Sequence, residues 1–355
     1  MKTILANHRT FIPEIDQLRF LAICAVVINH LAATKVLPDL PYLSYATSPI
    51  LAIISGFLLF RHLDSFPRLV HKIRGRLLTL FVPYVVWTII YFVFSGGVKK
   101  LIILYAPSYS VYINTPFQGW SFKEYFFKFF LLPNPGAFWY LQNLMLILPF
   151  ALILKGLLRS RYSLVPLLAL VFSFYLLKLP LYFQDRFLPF FILGLWLGLH
   201  HPNGPKQRTW STLGLVGSTC LCLLISRFLD LPNDQLESVL KFPLRVGSFY
   251  FGFLSLRSLQ SSSFVRYLKT KTHLSFLLHA SHLMVLTILG GGFLIATHPL
   301  HWTLPSSKLI EAFVGLFFFL VTFYLIQVLN QFLTRYAPRV LTILNGTRHR
   351  DIAIL

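Results

Sequence analysis

Two stretches carry side chains that could do acid–base chemistry in an otherwise apolar chain. In the first, Asp16-Gln17-Leu18-Arg19 is followed eleven residues after the arginine by His30, with Asn29 beside it. At about 100° per residue, eleven residues return to within about 20° of the starting direction. A helix would therefore set Arg19 and His30 on one face, roughly 16 Å apart along the axis. A guanidinium at the water edge can hold an anion, and an imidazole deeper in can take up or release a proton, because its ordinary pKa lies near working pH. The spacing equally suits a snorkelling anchor above a packed, hydrogen-bonded histidine. In the second stretch Ser275, His279 and His282 stand four and three residues apart and form one polar stripe on a helix. Two imidazoles at that spacing can begin a metal site. No carboxylate or cysteine stands beside them as a third ligand, so no metal is expected, and hydrogen bonding in a water-accessible cavity is.

A third group is basic. Lys72, Arg74 and Arg76 immediately precede the run Leu77-Leu78-Thr79-Leu80-Phe81-Val82-Pro83-Tyr84-Val85-Val86-Trp87. Cations in that position anchor a span at the lipid surface, and they can also grip a phosphorylated ligand. Ser55-Gly56 has the small side chains that let helices approach closely, and Trp139 stands where an amphipathic ring would sit at a membrane interface.

The elements that must position these groups are set by composition. Of 355 residues, 56% are hydrophobic and 12% charged, and the mean hydropathy is +0.68. Soluble domains carry about twice that share of charge, so an ordinary water-soluble enzyme is excluded and lipid is the expected solvent. The formal net charge of +21 would suit nucleic acid if the cations clustered on a polar domain. They lie instead in short gaps between apolar runs, as in loops that face anionic lipid, and no nucleic-acid partner is expected. Cys24, Cys220 and Cys222 fall inside apolar segments without metal-ligand spacing and read as small core residues.

A spanning helix needs about 20 mostly apolar residues. Ten segments qualify, near 18 to 34, 48 to 60, 78 to 96, 138 to 154, 163 to 180, 187 to 200, 211 to 228, 242 to 258, 274 to 297 and 309 to 332. With the N-terminus inside, alternate loops collect nineteen Lys and Arg on the cytoplasmic side against eight on the other. That bias places both termini in the cytoplasm. The expected architecture is an all-α, polytopic membrane bundle of about ten helices. Residues 1–340 form a single integral-membrane domain and residues 341–355 a short basic cytoplasmic tail. Asn29 and His30 interrupt the first apolar run, so no cleavable signal peptide is expected. The long loop from 97 to 137 carries Trp120, Tyr125 and Phe126, which suit an interfacial belt or a stacking surface for sugar rings. Glu311, near the outer end of the last span, reads as catalytic or merely interfacial.

Five stretches in this order resemble the membrane acyltransferase-3 family, bacterial enzymes that O-acylate sugars, polysaccharides, peptidoglycan and related glycans. They are Ile15-Asp16-Gln17-Leu18-Arg19-Phe20-Leu21-Ala22 with His30; Ile54-Ser55-Gly56-Phe57-Leu58-Leu59; Arg76 to Trp87; Phe138-Trp139-Tyr140-Leu141; and Ser275 to His282. The resemblance covers about residues 10 to 335. It departs at Thr79, where a second basic residue is usual, which shifts donor contacts toward Arg74. It departs also at His279, where a tyrosine is usual, leaving His282 as the match to the family histidine. Some relatives carry an extracytoplasmic hydrolase-like domain; without one, this chain would act alone or with a separate partner.

The resemblance implies an acyl-CoA co-substrate, acetyl-CoA in the first instance, with no permanently bound cofactor, and a carbohydrate or glycolipid acceptor. It places the protein in the bacterial cytoplasmic membrane. Acyl transfer to a hydroxyl needs a base, donors for the developing oxyanion and an anchor for the anionic donor. His30 is then the base or a covalently acylated nucleophile, and Ser275 or His282 orients acceptor or oxyanion. Arg19, Arg74 and Arg76 hold the donor's phosphates, and Asp16 fixes Arg19. His279, Ser55 and Trp139 support the site. A flippase for lipid-linked sugars would also need many spans with midplane polar groups, but the two related halves common in transporters are not visible in the sequence. A membrane acyltransferase of the other large histidine-dependent type has no counterpart to the first-helix pattern.

Overall fold

The computed structural model describes residues 12–33, 41–63, 65–105, 138–177, 187–204, 241–297 and 308–346. Every regular element among them is helical. In chain order these are α1 (Pro13–Ala33), α2 (Pro41–Phe60), α3 (Phe66–Tyr105), α4 (Trp139–Ile147), α5 (Ala151–Leu157), α6 (Leu164–Leu176), α7 (Leu188–His200), α8 (Phe242–Ser258), α9 (Ser263–Lys271), α10 (Ser275–Thr297), α11 (Lys308–Tyr336) and α12 (Pro338–Asn345). The expected span at 211 to 228, with Cys220 and Cys222, lies outside the described residues, as do Trp120, Tyr125 and Phe126.

Three helical segments among the described residues are long and apolar enough to cross a membrane: Phe66–Tyr91, Ser263–Leu289 and Phe313–Tyr336. The first belongs to α3, the second joins α9 and α10 through a single 3-10 turn, and the third is α11. A fourth is made by α4 and α5 if their 63° bend is counted as one span. The single straight span expected at 138 to 154 is thus broken. Pro149 sits in the gap, lacks the N–H that would continue the ladder, and its ring would clash with the carbonyl of Met145. The other expected spans that fall on described residues have helices, but shorter or more polar ones. With 13 residues each, α6 and α7 are about 20 Å long against a hydrocarbon core of about 30 Å. The 21 residues of α1 include Glu14, Asp16, Gln17, Arg19, Asn29 and His30, which lower its mean hydropathy.

A second correction concerns the basic stretch before the third span. Arg68, Lys72, Arg74 and Arg76 lie on α3 and not on a loop, because Lys and Arg are good helix formers and Gly75 is exposed without interrupting the helix. Lys72 donates to the carbonyls of Arg61, at 2.7 Å, and Leu59, at 3.2 Å, satisfying acceptors at the end of α2. Pro83 inside α3 leaves the Thr79 carbonyl without its usual partner four residues on. Gly346, at φ +64°, ends α12 against that carbonyl; a Cβ there would come within 2.0 Å of it. The Trp87 indole N–H donates to the Leu344 carbonyl at 3.1 Å, tying α12 to α3. Helix α12 spans residues 338–345, across the expected boundary between a domain ending at 340 and a tail beginning at 341.

The closest helix pair is α2 with α7. It is built on Gly56 and on Gly194-Leu195-Trp196-Leu197-Gly198, whose glycines bring backbone against backbone. A Cβ on Gly56 would stand 2.3 Å from the Phe191 carbonyl oxygen, and one on Gly198 would stand 2.5 Å from that of Phe57. This is the small-residue packing of helices that gain nothing from ordinary apolar burial, because lipid is as apolar as leucine. The outward faces stay apolar, with Phe313, Leu316, Phe317 and Leu320 of α11 and Leu78, Phe81 and Val82 of α3 exposed, as a lipid-facing surface requires. The chain is a membrane protein with several apolar spanning helices.

Candidate active site

Helices α1, α2, α3, α4 and α10 enclose a cleft with about 280 Å³ of free space. Its polar wall comes from Arg19, Ser55, Arg76, Thr79, Tyr140, Ser275 and His279. The rest is apolar, with Ile23, Leu51, Ile54, Leu58, Leu141 and Leu144 among the lining. Two guanidiniums converging on a small, mostly apolar cavity suit an anion joined to an apolar arm. The free volume lies at the lower end of small-molecule sites, about 300 to 1,000 Å³, so it can hold the reacting part of a large donor but not the whole.

Each guanidinium is held from behind. Arg19 pairs with Asp16 one turn earlier, while its Nε is buried with no hydrogen-bond partner among the described residues. Arg76 Nη1 donates to the Ser55 carbonyl at 3.1 Å. Tyr140 donates its hydroxyl hydrogen to the Leu51 carbonyl at 2.7 Å, so the 2.6 Å contact between Ser55 Oγ and the Tyr140 oxygen has Ser55 as donor. These bonds join α2, α3 and α4 at one point of the cleft wall. Tyr140→Phe removes two of them and is expected to cost about 1 kcal/mol of stability, read as a lower unfolding temperature in detergent. An unchanged melting curve would show that the network contributes nothing.

On α10, Ser275 donates to the Thr272 carbonyl at 2.6 Å, leaving its lone pairs to accept. The His279 ring stands edge-on to Tyr140, with centroids 6.2 Å apart. Beyond it His282, fully buried, lies 6.0 Å from His279 and 5.1 Å from His30 between ring centroids. Because α1 runs unbroken from Pro13 to Ala33, the helical spacing from Arg19 to His30 holds, and α1 presents the arginine to the cleft and the histidine to His282. Among the described residues no group of three His, Cys, Asp or Glu could hold a metal ion.

The structure thus brings Arg19, Arg76, Ser55, Ser275 and His279 to one cleft and pairs His30 with His282 next to it. Asp16 stands behind Arg19. Arg74 is exposed and does not line the cleft, since two residues along a helix turn the side chain through about 200° from Arg76. Trp139 is half-buried beside the cleft, edge-on to Tyr140 at 6.1 Å. Tyr140 itself, its immediate neighbour, supplies the polar group on α4. The sequence signal for it was a tyrosine in the quoted stretch Phe138 to Leu141.

Residues 12–341 match the acyltransferase-3 family, described as an acyltransferase domain, and the chain belongs to that family. It is therefore a membrane acyltransferase, an enzyme that takes an acyl group from a donor to an acceptor. No curated protein and no solved structure matches the chain.

Proposed function

We propose that this acyltransferase moves an acyl group, acetyl in the simplest case, from acyl-CoA to a hydroxyl of a cell-envelope sugar, polysaccharide or glycolipid. Its setting would be the bacterial cytoplasmic membrane, in a bundle of about ten spans with both termini inside and a basic tail after the membrane domain. The observation that carries this reading is the convergence of Arg19 and Arg76 on a small cleft that also holds hydroxyls and an imidazole, with the His30–His282 pair adjoining it.

The donor's phosphates are held by Arg19 and Arg76 at the cytoplasmic end, with exposed Arg74 available to their outermost charges. The thioester arm extends along α1 toward His30, over a helical rise of roughly 16 Å. His30 takes the proton of the acceptor hydroxyl as its oxygen attacks the thioester carbonyl, and Ser275 and His279 orient acceptor or oxyanion. Arg76→Ala is expected to raise KM for acyl-CoA about 10- to 100-fold, as loss of a charged hydrogen-bonding group does. Arg74→Ala, an exposed charge, should change it about twofold or less. Steady-state kinetics on membranes with matched protein content separates the two, and equal effects would remove Arg76 as the principal anchor.

The test of the reading as a whole is mass spectrometry of base-labile esters on envelope glycans from cells with and without the protein. A mass increment of one acyl group present only with the protein identifies acyl chain and acceptor together. An unchanged ester profile counts against a glycan acceptor.

A further inference from the structure

His282 Nδ1 lies 2.7 Å from the His279 carbonyl oxygen and 3.1 Å from that of Leu278. Carbonyl oxygens only accept, so Nδ1 carries a hydrogen, and in the neutral ring Nε2 carries the lone pair. That nitrogen is buried in a side chain with no exposed surface and has no hydrogen-bond partner among the described residues. The nearest ring is His30, 5.1 Å away between centroids and tilted by 38°. A buried acceptor that the helix backbone has fixed in one tautomer therefore stands against His30, the proposed base.

We propose that His282 is a positioning residue whose unpartnered Nε2 accepts an N–H of His30 when the adjoining His30 ring turns toward it in the substrate-loaded enzyme, and so sets which nitrogen of His30 is left bare for the acceptor hydroxyl. The proposal rests on His30 being the base. In the reaction the hydroxyl proton passes to the bare nitrogen of His30 as the new C–O bond forms. The C–S bond of the thioester breaks, and the same proton goes to the departing thiolate. His282 keeps its own hydrogen on Nδ1 throughout, and its lone pair stabilises the transient imidazolium of His30 through the shared N–H. Partners that hold a metal-bound imidazole by its second nitrogen typically change affinity or activity 10- to 100-fold when removed, and a loss of about that order is expected for an imidazole base held in the same way.

The decisive comparison is between two conservative variants. His282→Gln keeps an oxygen near the place of Nε2 and gives up the Nδ1–H bond to the backbone. His282→Asn keeps a donor near the place of Nδ1 and gives up the distal acceptor. If His282 acts on His30, Gln retains kcat within about threefold of wild type, whereas Asn loses about 10- to 100-fold with KM for acyl-CoA unchanged. Equal kcat for the two, or Asn above Gln, makes His282 a packing residue and overturns the proposal. Should either variant fail to elute as a folded species, wild-type protein labelled with nitrogen-15 histidine decides. With a saturating non-transferable acyl-CoA analogue bound, a coupling across a hydrogen bond between His30 N–H and a bare His282 Nε2 is expected, and its absence rejects the proposal. Wild-type activity in His30→Ala would instead defeat the base assignment itself; an inactive His30→Ala with Gln no better than Asn defeats only the role of His282.

Discussion

His30→Ala is expected to lower acyl transfer by about 10²- to 10⁴-fold, the range that a positioned general base contributes. The loss should fall on kcat, because Arg19 and Arg76, the proposed anchors of the donor, line the cleft and are untouched. A fall confined to KM would mean that His30 holds a substrate and does not move a proton. The measurement is acyl-CoA-dependent transfer in membranes at equal amounts of folded protein, and activity within a few-fold of wild type would take His30 out of the chemistry.

Gly194→Leu is expected to abolish a folded bundle, and Gly194→Ala to weaken it by about 3 kcal/mol or more. A Cβ at this position stands 2.1 Å from the Ile53 carbonyl oxygen, 2.8 Å from its carbon and 2.9 Å from its Cα. Ordinary contact between heavy atoms is about 3.5 Å, and none of these atoms is the end of a side chain that could swing aside. The helices must separate, and with α2 goes Ser55, whose carbonyl holds Arg76. Thermal unfolding in detergent checks this, with Gly75→Ala and Gly156→Ala as controls. Nothing lies within 4 Å of a Cβ at either control site, so both should leave stability unchanged or raise it by about 0.5 to 1 kcal/mol through helix propensity.

What the sequence could convey about the site follows from how local each relation is. Arg19 and His30 belong to one helix, so their spacing alone gave their shared face, and the same holds for Ser275, His279 and His282. Arg74 and Arg76 could not be told apart while their stretch was read as a loop; only once it is helical do they point to opposite sides. Tyr140 was out of reach for another reason. Its importance lies in bonds to Leu51 and Ser55, more than 80 residues earlier in the chain. The meeting of His30 with His282 likewise depends on α1 and α10 packing together, which no period in either segment encodes.

Spans were legible as apolar runs but not as lengths. Pro149 lies in a bend between two helices, and hydropathy averaged over such an interruption cannot separate one straight helix from two bent ones. Ser55-Gly56 was read as one small pair, and its two members do different work: Gly56 admits the backbone of α7, while Ser55 turns to Tyr140.

The meeting of α2 and α7 through their glycines also decides which side of the active site can yield. Two backbones in contact have no rotamers to change, so that side behaves as a fixed jamb. The side lined by Arg76, Thr79 and Leu80 of α3 and by Tyr140, Leu141 and Leu144 of α4 is closed by side chains, of which Arg76 and Tyr140 are bonded to α2 while the leucines can change rotamer. The cleft wall is therefore stiffest where α2 meets α7, and the side chains that can adjust to a bound molecule lie on α3 and α4.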